Sequence, residues 1–261
     1  MAGKPPRAQR SGTGGRRLLA SAESFFHIRH MNPCDATATR AGQRENATLF
    51  RPPTATRPAL WLADISGRRA IIKDYRSCGA LMRFFGRFLV QRERALYRLL
   101  SGLPGIPRCY GLISRHCLAV EYIPGKDCLK FRRGELPGEF FERLERLVAE
   151  LHRRGIAHCD LKHRENIIVT PDFRPHIVDF AAALPRGSRW NILQRWAFRL
   201  FSADDLRALV KIRHYLGADG VPEEEWRKVA VRSPAERLVR RVRDRLRSLL
   251  RAMLRNRRAA P

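Results

Sequence analysis

The stretch "HCDLKHRENIIV", His158 to Val169, sets a histidine, an aspartate, a lysine and an asparagine just ahead of an apolar run. The run continues to Thr170 and meets a Pro171-Asp172 turn, so it reads as a short strand entered from a charged loop. Taken alone, Asp160 and Asn166 could do no more than cap turns. What stands at set distances on either side separates a charged turn from a site.

Upstream, "GEFFERLERLVAELHRRG" has apolar residues at helical spacing and Gly155 as its C-terminal stop. Downstream, "PHIVDF" reads as a strand that ends at Asp179, directly before Phe180. Nearer the N-terminus, "ALWLADI" and "RRAIIKDY" are two strand-like runs parted by Ser66-Gly67, which predicts a hairpin. Lys73 lies late in the second run. Residues 81–100 predict a helix that carries Glu93, close enough to reach back to Lys73. "LPGIPRCYG" breaks that helix, "HCLAVEYI" predicts a further strand, and Pro124-Gly125 a turn.

A strand lysine, a helix glutamate, an H-x-D loop closed by an asparagine, and an apolar strand ending Asp-Phe occur in chain order. This set resembles the protein-kinase-like superfamily, over about residues 55–215. The resemblance implies an α+β, two-lobed fold with a small antiparallel β N-lobe and a mainly helical C-lobe. It implies ATP and Mg2+ as cofactors, with Lys73 on the α- and β-phosphates and Glu93 fixing that lysine. Asp160 would orient the acceptor hydroxyl, Lys162 would neutralise charge at the transferred phosphate, and Asn166 and Asp179 would hold magnesium. Backbone groups of Glu121 and Ile123, in "VEYI", would meet adenine. His158 is expected to support the loop through a hydrogen bond near Asp179.

The chain departs from the pattern in four places. No G-x-G-x-x-G precedes Lys73; "RPPTATRPALWLA" stands there, so phosphates would be gripped differently. Asp160 and Asn166 are six steps apart where the motif has five. Either the loop bulges, the favoured reading, or Glu165 takes the metal position. Ala181 replaces the glycine of D-F-G, and nothing resembles an A-P-E activation segment. This reduced form is similar to RIO-type kinases and to the bacterial kinases that phosphorylate lipopolysaccharide core sugars.

Composition narrows the partners. Lys and Arg number 52 against 25 Asp and Glu, a net charge of +27, which favours polyanionic surfaces. Cys34, Cys78, Cys109, Cys117, Cys128 and Cys159 are scattered without a CxxC pair, as expected of free thiols rather than a disulfide framework or zinc site. No apolar run approaches the roughly 18 residues of a membrane span, and no signal peptide is legible, which predicts a cytoplasmic chain, with a peripheral seat on the inner face of the membrane as a further expectation. Residues 1–45 are expected to be a disordered basic segment, with Met31 an alternative start. Residues 46–124 are expected to form the N-lobe, 125–220 the C-lobe, and 221–261 a basic amphipathic C-terminal helix. In "SRWNILQRWAFRLF" the aromatics are expected mostly in the core; the other reading is an interfacial element on anionic lipid. In the tail, Leu238, Val242, Leu246, Leu249 and Met253 make an apolar stripe among arginines, suited first to an anionic membrane surface and second to nucleic acid.

The expected activity is ATP-dependent phosphorylation of a hydroxyl on a lipopolysaccharide core sugar or other lipid-linked sugar. The alternatives are a RIO-like protein serine/threonine kinase, whose acceptor is a protein hydroxyl, and a pseudokinase or basic scaffold for RNA or membrane.

Overall fold

The structure is a computed structural model that describes residues 47–54 and 57–231, with isolated positions 233, 237 and 241 beyond them. The expected N-terminal segment lies outside the described residues, and of the expected tail helix (221–261) only residues 221–231 and those three positions lie within them. A five-stranded antiparallel sheet comes first: β1 (Thr48–Arg51), β2 (Ala59–Ile65), β3 (Arg68–Asp74), β4 (Cys109–Ser114) and β5 (Cys117–Glu121), in the order β1-β2-β3-β5-β4. The β2–β3 hairpin turns on Ser66 (φ 53°) and Gly67 (φ 75°). Positive φ at both central residues matches the right-handed twist of the strands. The register sets Leu60 opposite Lys73, and Lys73 opposite Leu118. Strand β4 was hidden in the sequence because the prolines and glycines just before it read as a long linker.

Helix α1 (Ala80–Leu99) lies between β3 and β4 in the chain. Val90, Glu93, Tyr97 and Leu100 recur at helical spacing and are all buried, so a carboxylate occupies an otherwise apolar stripe.

The rest of the described chain is mainly helical: β6 (Lys126–Asp127), α2 (Gly138–Arg153), β7 (Ile156–Ala157), β8 (Ile167–Val169), β9 (Pro175–Ile177), β10 (Leu184–Pro185), α3 (Ile192–Leu216) and α4 (Glu223–Ala230). Strands β6, β8 and β9 form one small sheet, while β7 pairs with β10. Helix α2 buries Phe140, Phe141, Leu144, Leu147, Val148 and Leu151, and α3 brings Ala208, Leu209, Ile212 and Leu216 into the same cluster. Each such buried Leu, Ile or Phe contributes about 1.5–3 kcal/mol relative to exposure. The cluster also takes in Tyr75, Val90, Leu118 and Val120 of the sheet part, so one core runs beneath both parts.

Gly105 ties the α1–β4 link to β9. Its carbonyl accepts the Ile177 N–H at 2.9 Å, its φ is +88°, and a Cβ there would meet Leu147 Cδ2 at 2.7 Å and the Pro175 carbonyl oxygen at 3.0 Å. Gly105→Ala is therefore expected to destabilise the fold by about 1–3 kcal/mol, from positive φ and overpacking together. Urea unfolding would measure it, and a variant as stable as the parent would contradict the packing described.

Two expectations need correction. The strand read through Asp179 stops at Ile177, and Asp179 itself is left-handed, with φ 67°. Its side chain accepts the Ala181 N–H, which closes a 3-10 turn over Phe180–Ala182. The aromatics of residues 189–201 are also not mostly core: Trp190 is 79% exposed and Trp196 52%, with Ile192 and Leu193 exposed beside them. Phe198 alone of the four aromatics is buried. A strong apolar pattern marks a helix, but it does not say which of its faces meets the core.

Candidate active site

Lys73 enters the site as the penultimate residue of β3. Its ammonium lies 2.5 Å from Glu93 Oε1 and 2.7 Å from Asp179 Oδ1, joining the sheet, helix α1 and the segment after β9 at one nitrogen. Burial works against the ammonium, but the Asp179 and Glu93 carboxylates outweigh it and hold the lysine charged well above its ordinary range. Burial pushes the Glu93 carboxyl up in spite of Lys73. The Asp179 carboxyl is also resisted by burial, yet Lys73 and the Ala181 N–H bring it down to about 2.

The loop of residues 158–166 folds around its own aspartate. The Asn166 side-chain amide donates to the Asp160 backbone carbonyl at 3.0 Å and to Asp160 Oδ2 at 3.1 Å. The loop ends in a 3-10 turn over Arg164–Asn166, which buries Asn166 and leaves Glu165 exposed. His158 is fully buried; its Nε2 lies 3.1 Å from the Val178 carbonyl oxygen, and its ring stands edge-on to Phe180.

Lys73, Asp160, Asn166 and Asp179 line one cavity, together with Arg51, Arg57, Pro58, Tyr75, His163, Glu165 and Ala181. Glu93 stands behind Lys73. Four of the predicted residues are not among the lining: Glu93, which is buried, Lys162, which is exposed, and Glu121 and Ile123, which are half-buried. The Glu121 N–H is already given to the Arg108 carbonyl at 2.8 Å.

Two further residues organise the site and were missed in the sequence. Asp205 of α3 is 2% exposed; its oxygens accept the backbone N–H groups of His158 at 2.7 Å and Cys159 at 2.9 Å, and His152 Nε2 lies 3.1 Å away. It holds Cys159 in a left-handed conformation, φ 68°, one residue before Asp160. The signal was available, since Phe198, Asp205, Leu209, Ile212 and Leu216 share helical spacing and a carboxylate in that stripe needs donors. Arg92, next to Glu93 on α1, donates to the Ala181 carbonyl at 2.7 Å and to the Ala183 carbonyl. No sequence signal marks it, because the acceptors are backbone atoms some ninety residues on.

The cavity wall offers two kinds of group. Arg51, Arg57 and Lys73, from the sheet side, are cations, whereas Asp160, Glu165, Asn166 and Asp179, from the helical side, present oxygens. A polyphosphate fits the first set. A hard divalent cation, which takes oxygen ligands and shares them with phosphates, fits the second.

A two-part fold with these groups between its parts is the fold of the protein-kinase-like superfamily. No protein-family model matches the chain. It is 28% identical over 183 residues, 63% of its own length and 71% of the relative's, to the 3-deoxy-D-manno-octulosonic acid kinase of Xylella fastidiosa strain M12, and 27% identical to that of strain 9a5c. Among solved structures it is similar to the Rio2 kinase of Chaetomium thermophilum in its ADP/Mg2+-phosphoaspartate complex, with a TM-score of 0.51 at 15% identity. That likeness covers 74% of this chain and 64% of the other, less than two thirds of its length, and shows the fold.

Proposed function

We propose that the chain transfers the γ-phosphoryl group of ATP, with magnesium, to a hydroxyl of a lipopolysaccharide core sugar of the 3-deoxy-D-manno-octulosonic acid type. The observation that carries this is Lys73 paired with both Glu93 and Asp179 at the cavity where Asn166 grips Asp160. The sugar class is supported by the relatives, named as kinases of that sugar, which align with most of the described residues. Bound MgATP supplies an activated phosphoryl group and the positive charge that stabilises its transfer. Lys73 holds phosphate oxygens, and Glu93 keeps its ammonium from turning away. Asp179 and Asn166 hold the metal. Asp160, fixed by Asn166, orients the acceptor hydroxyl for in-line attack and takes its proton. Lys162 meets charge on the transferred phosphate from the solvent side, and Glu121 and Ile123 meet the adenine edge.

The exposed Trp190, Ile192, Leu193 and Trp196, with Arg189 stacked on Trp190 at 4.8 Å, support a seat on an anionic membrane surface on the cytoplasmic side, where a lipid-linked acceptor lies. Among the described residues, no helix is long and apolar enough to cross a membrane. Incubation of the full chain with labelled ATP, magnesium and delipidated core oligosaccharide, beside a generic protein, tests the reading. Label is expected on the sugar. Label on the protein alone would move the acceptor to a protein hydroxyl, and label on neither would overturn the proposal.

A further inference from the structure

The loop that covers phosphates in this fold normally lets backbone amides approach them, which is why it is rich in glycine. Here the β1–β2 connection has none, and the structure puts guanidinium groups at the same cavity. Strand β1 pairs with β2 through Thr48↔Leu62 and Leu49↔Trp61, then slips, so that Arg51 rather than Phe50 faces Leu60. Because Leu60 also faces Lys73 across the next strand, the slip puts Arg51, Leu60 and Lys73 in one cross-strand row on one face of the sheet. A regular ladder would have put Phe50 there. The turn is closed by Thr54 and Arg57, each N–H meeting an oxygen of the other residue at 3.0 Å, which fixes Arg57 at the other end of the connection. Both arginines line the cavity with Lys73 and Asp179, and the buried Arg51 Nε has no hydrogen-bond partner among the described residues. A buried guanidinium N–H without an acceptor is costly unless a ligand provides one.

We propose that Arg51 and Arg57 clamp the phosphate tail of the nucleotide, with side-chain guanidinium groups in place of a glycine loop's amides. The proposal rests on the nucleotide reading above and names two residues that the kinase motif does not contain. Guanidinium groups suit phosphate oxygens because they present parallel donors. The clamp belongs to the nucleotide rather than to an anionic group of the acceptor because both arginines share the wall of Lys73.

Calorimetric titration of the full chain with ADP, AMP and adenosine, for the wild type, Arg51→Ala, Arg51→Lys and Arg57→Ala, tests this. A lost charge-assisted hydrogen bond corresponds to roughly a 10–150-fold rise in the ADP dissociation constant. That rise is expected for Arg51→Ala, less for Arg51→Lys, with a smaller salt dependence of ADP binding and unchanged adenosine affinity. Arg57 is exposed, so Arg57→Ala keeps the test open should Arg51→Ala fail to fold. ADP affinity equal to wild type in the folded variants overturns the clamp, and so does a rise confined to the acceptor's KM. A wild type that binds no ADP at all would instead sink the nucleotide reading beneath it.

Discussion

Asp160→Ala is expected to lower the turnover of phosphoryl transfer by about 10²–10⁴-fold while the chain still binds nucleotide, because a positioned base is lost and the phosphate-holding groups remain. Asp160 is half-buried and partnered by Asn166, with His163 Nε2 3.6 Å from its other oxygen, so removing its carboxylate leaves the fold's core untouched. Glu165→Ala is the paired control. Glu165 shares the cavity but is exposed, and its loss should leave turnover within a few-fold of wild type. Single-turnover kinetics with labelled ATP would separate the two. If Glu165→Ala proved the more damaging, the register of the loop would shift by one residue and Asn166 would lose its metal role.

The second large effect is on stability. Asp205→Ala would strip the acceptors from two backbone N–H groups, that of buried His158 and that of half-buried Cys159, and the partner from His152. Each unsatisfied buried donor costs about 1–3 kcal/mol. The total, about 2–5 kcal/mol, should lower the melting temperature by roughly 5–15 °C in a chain of this size. Thermal unfolding followed by circular dichroism would measure it. Asp205→Asn keeps one oxygen acceptor and should lose about half as much; equal losses for both substitutions would mean that the cost is steric rather than one of unmet donors. Activity should fall too, since the Asp205 oxygens tie the backbone of His158 and Cys159 directly before Asp160.

What the sequence disclosed follows from how local each signal is. The β2–β3 hairpin was legible because Ser66-Gly67 is its own instruction. Helix α2 was legible from its stripe and from Gly155, whose φ of 75° ends it. Lys73, Asp160, Asn166 and Asp179, which line one cavity, stand out in the sequence through a motif that lies in short runs of chain. Strand β4 was masked by turn residues just before it, and the exposed Trp190 and Trp196 broke the rule that an aromatic stripe packs inward. Arg92 and Arg51 were out of reach for another reason: one depends on backbone acceptors far along the chain, and the other on a slipped strand register. Neither leaves a mark on composition or spacing.

The two bonds from Arg92 have a consequence for control. They moor the main chain after Asp179 to the neighbouring helix, and the moored stretch, Asp179 to Pro185, reads Asp-Phe-Ala-Ala-Ala-Leu-Pro. It holds no hydroxyl side chain to which a phosphate could be attached, and no glycine to act as a pivot. That segment gives a covalent throttle no foothold.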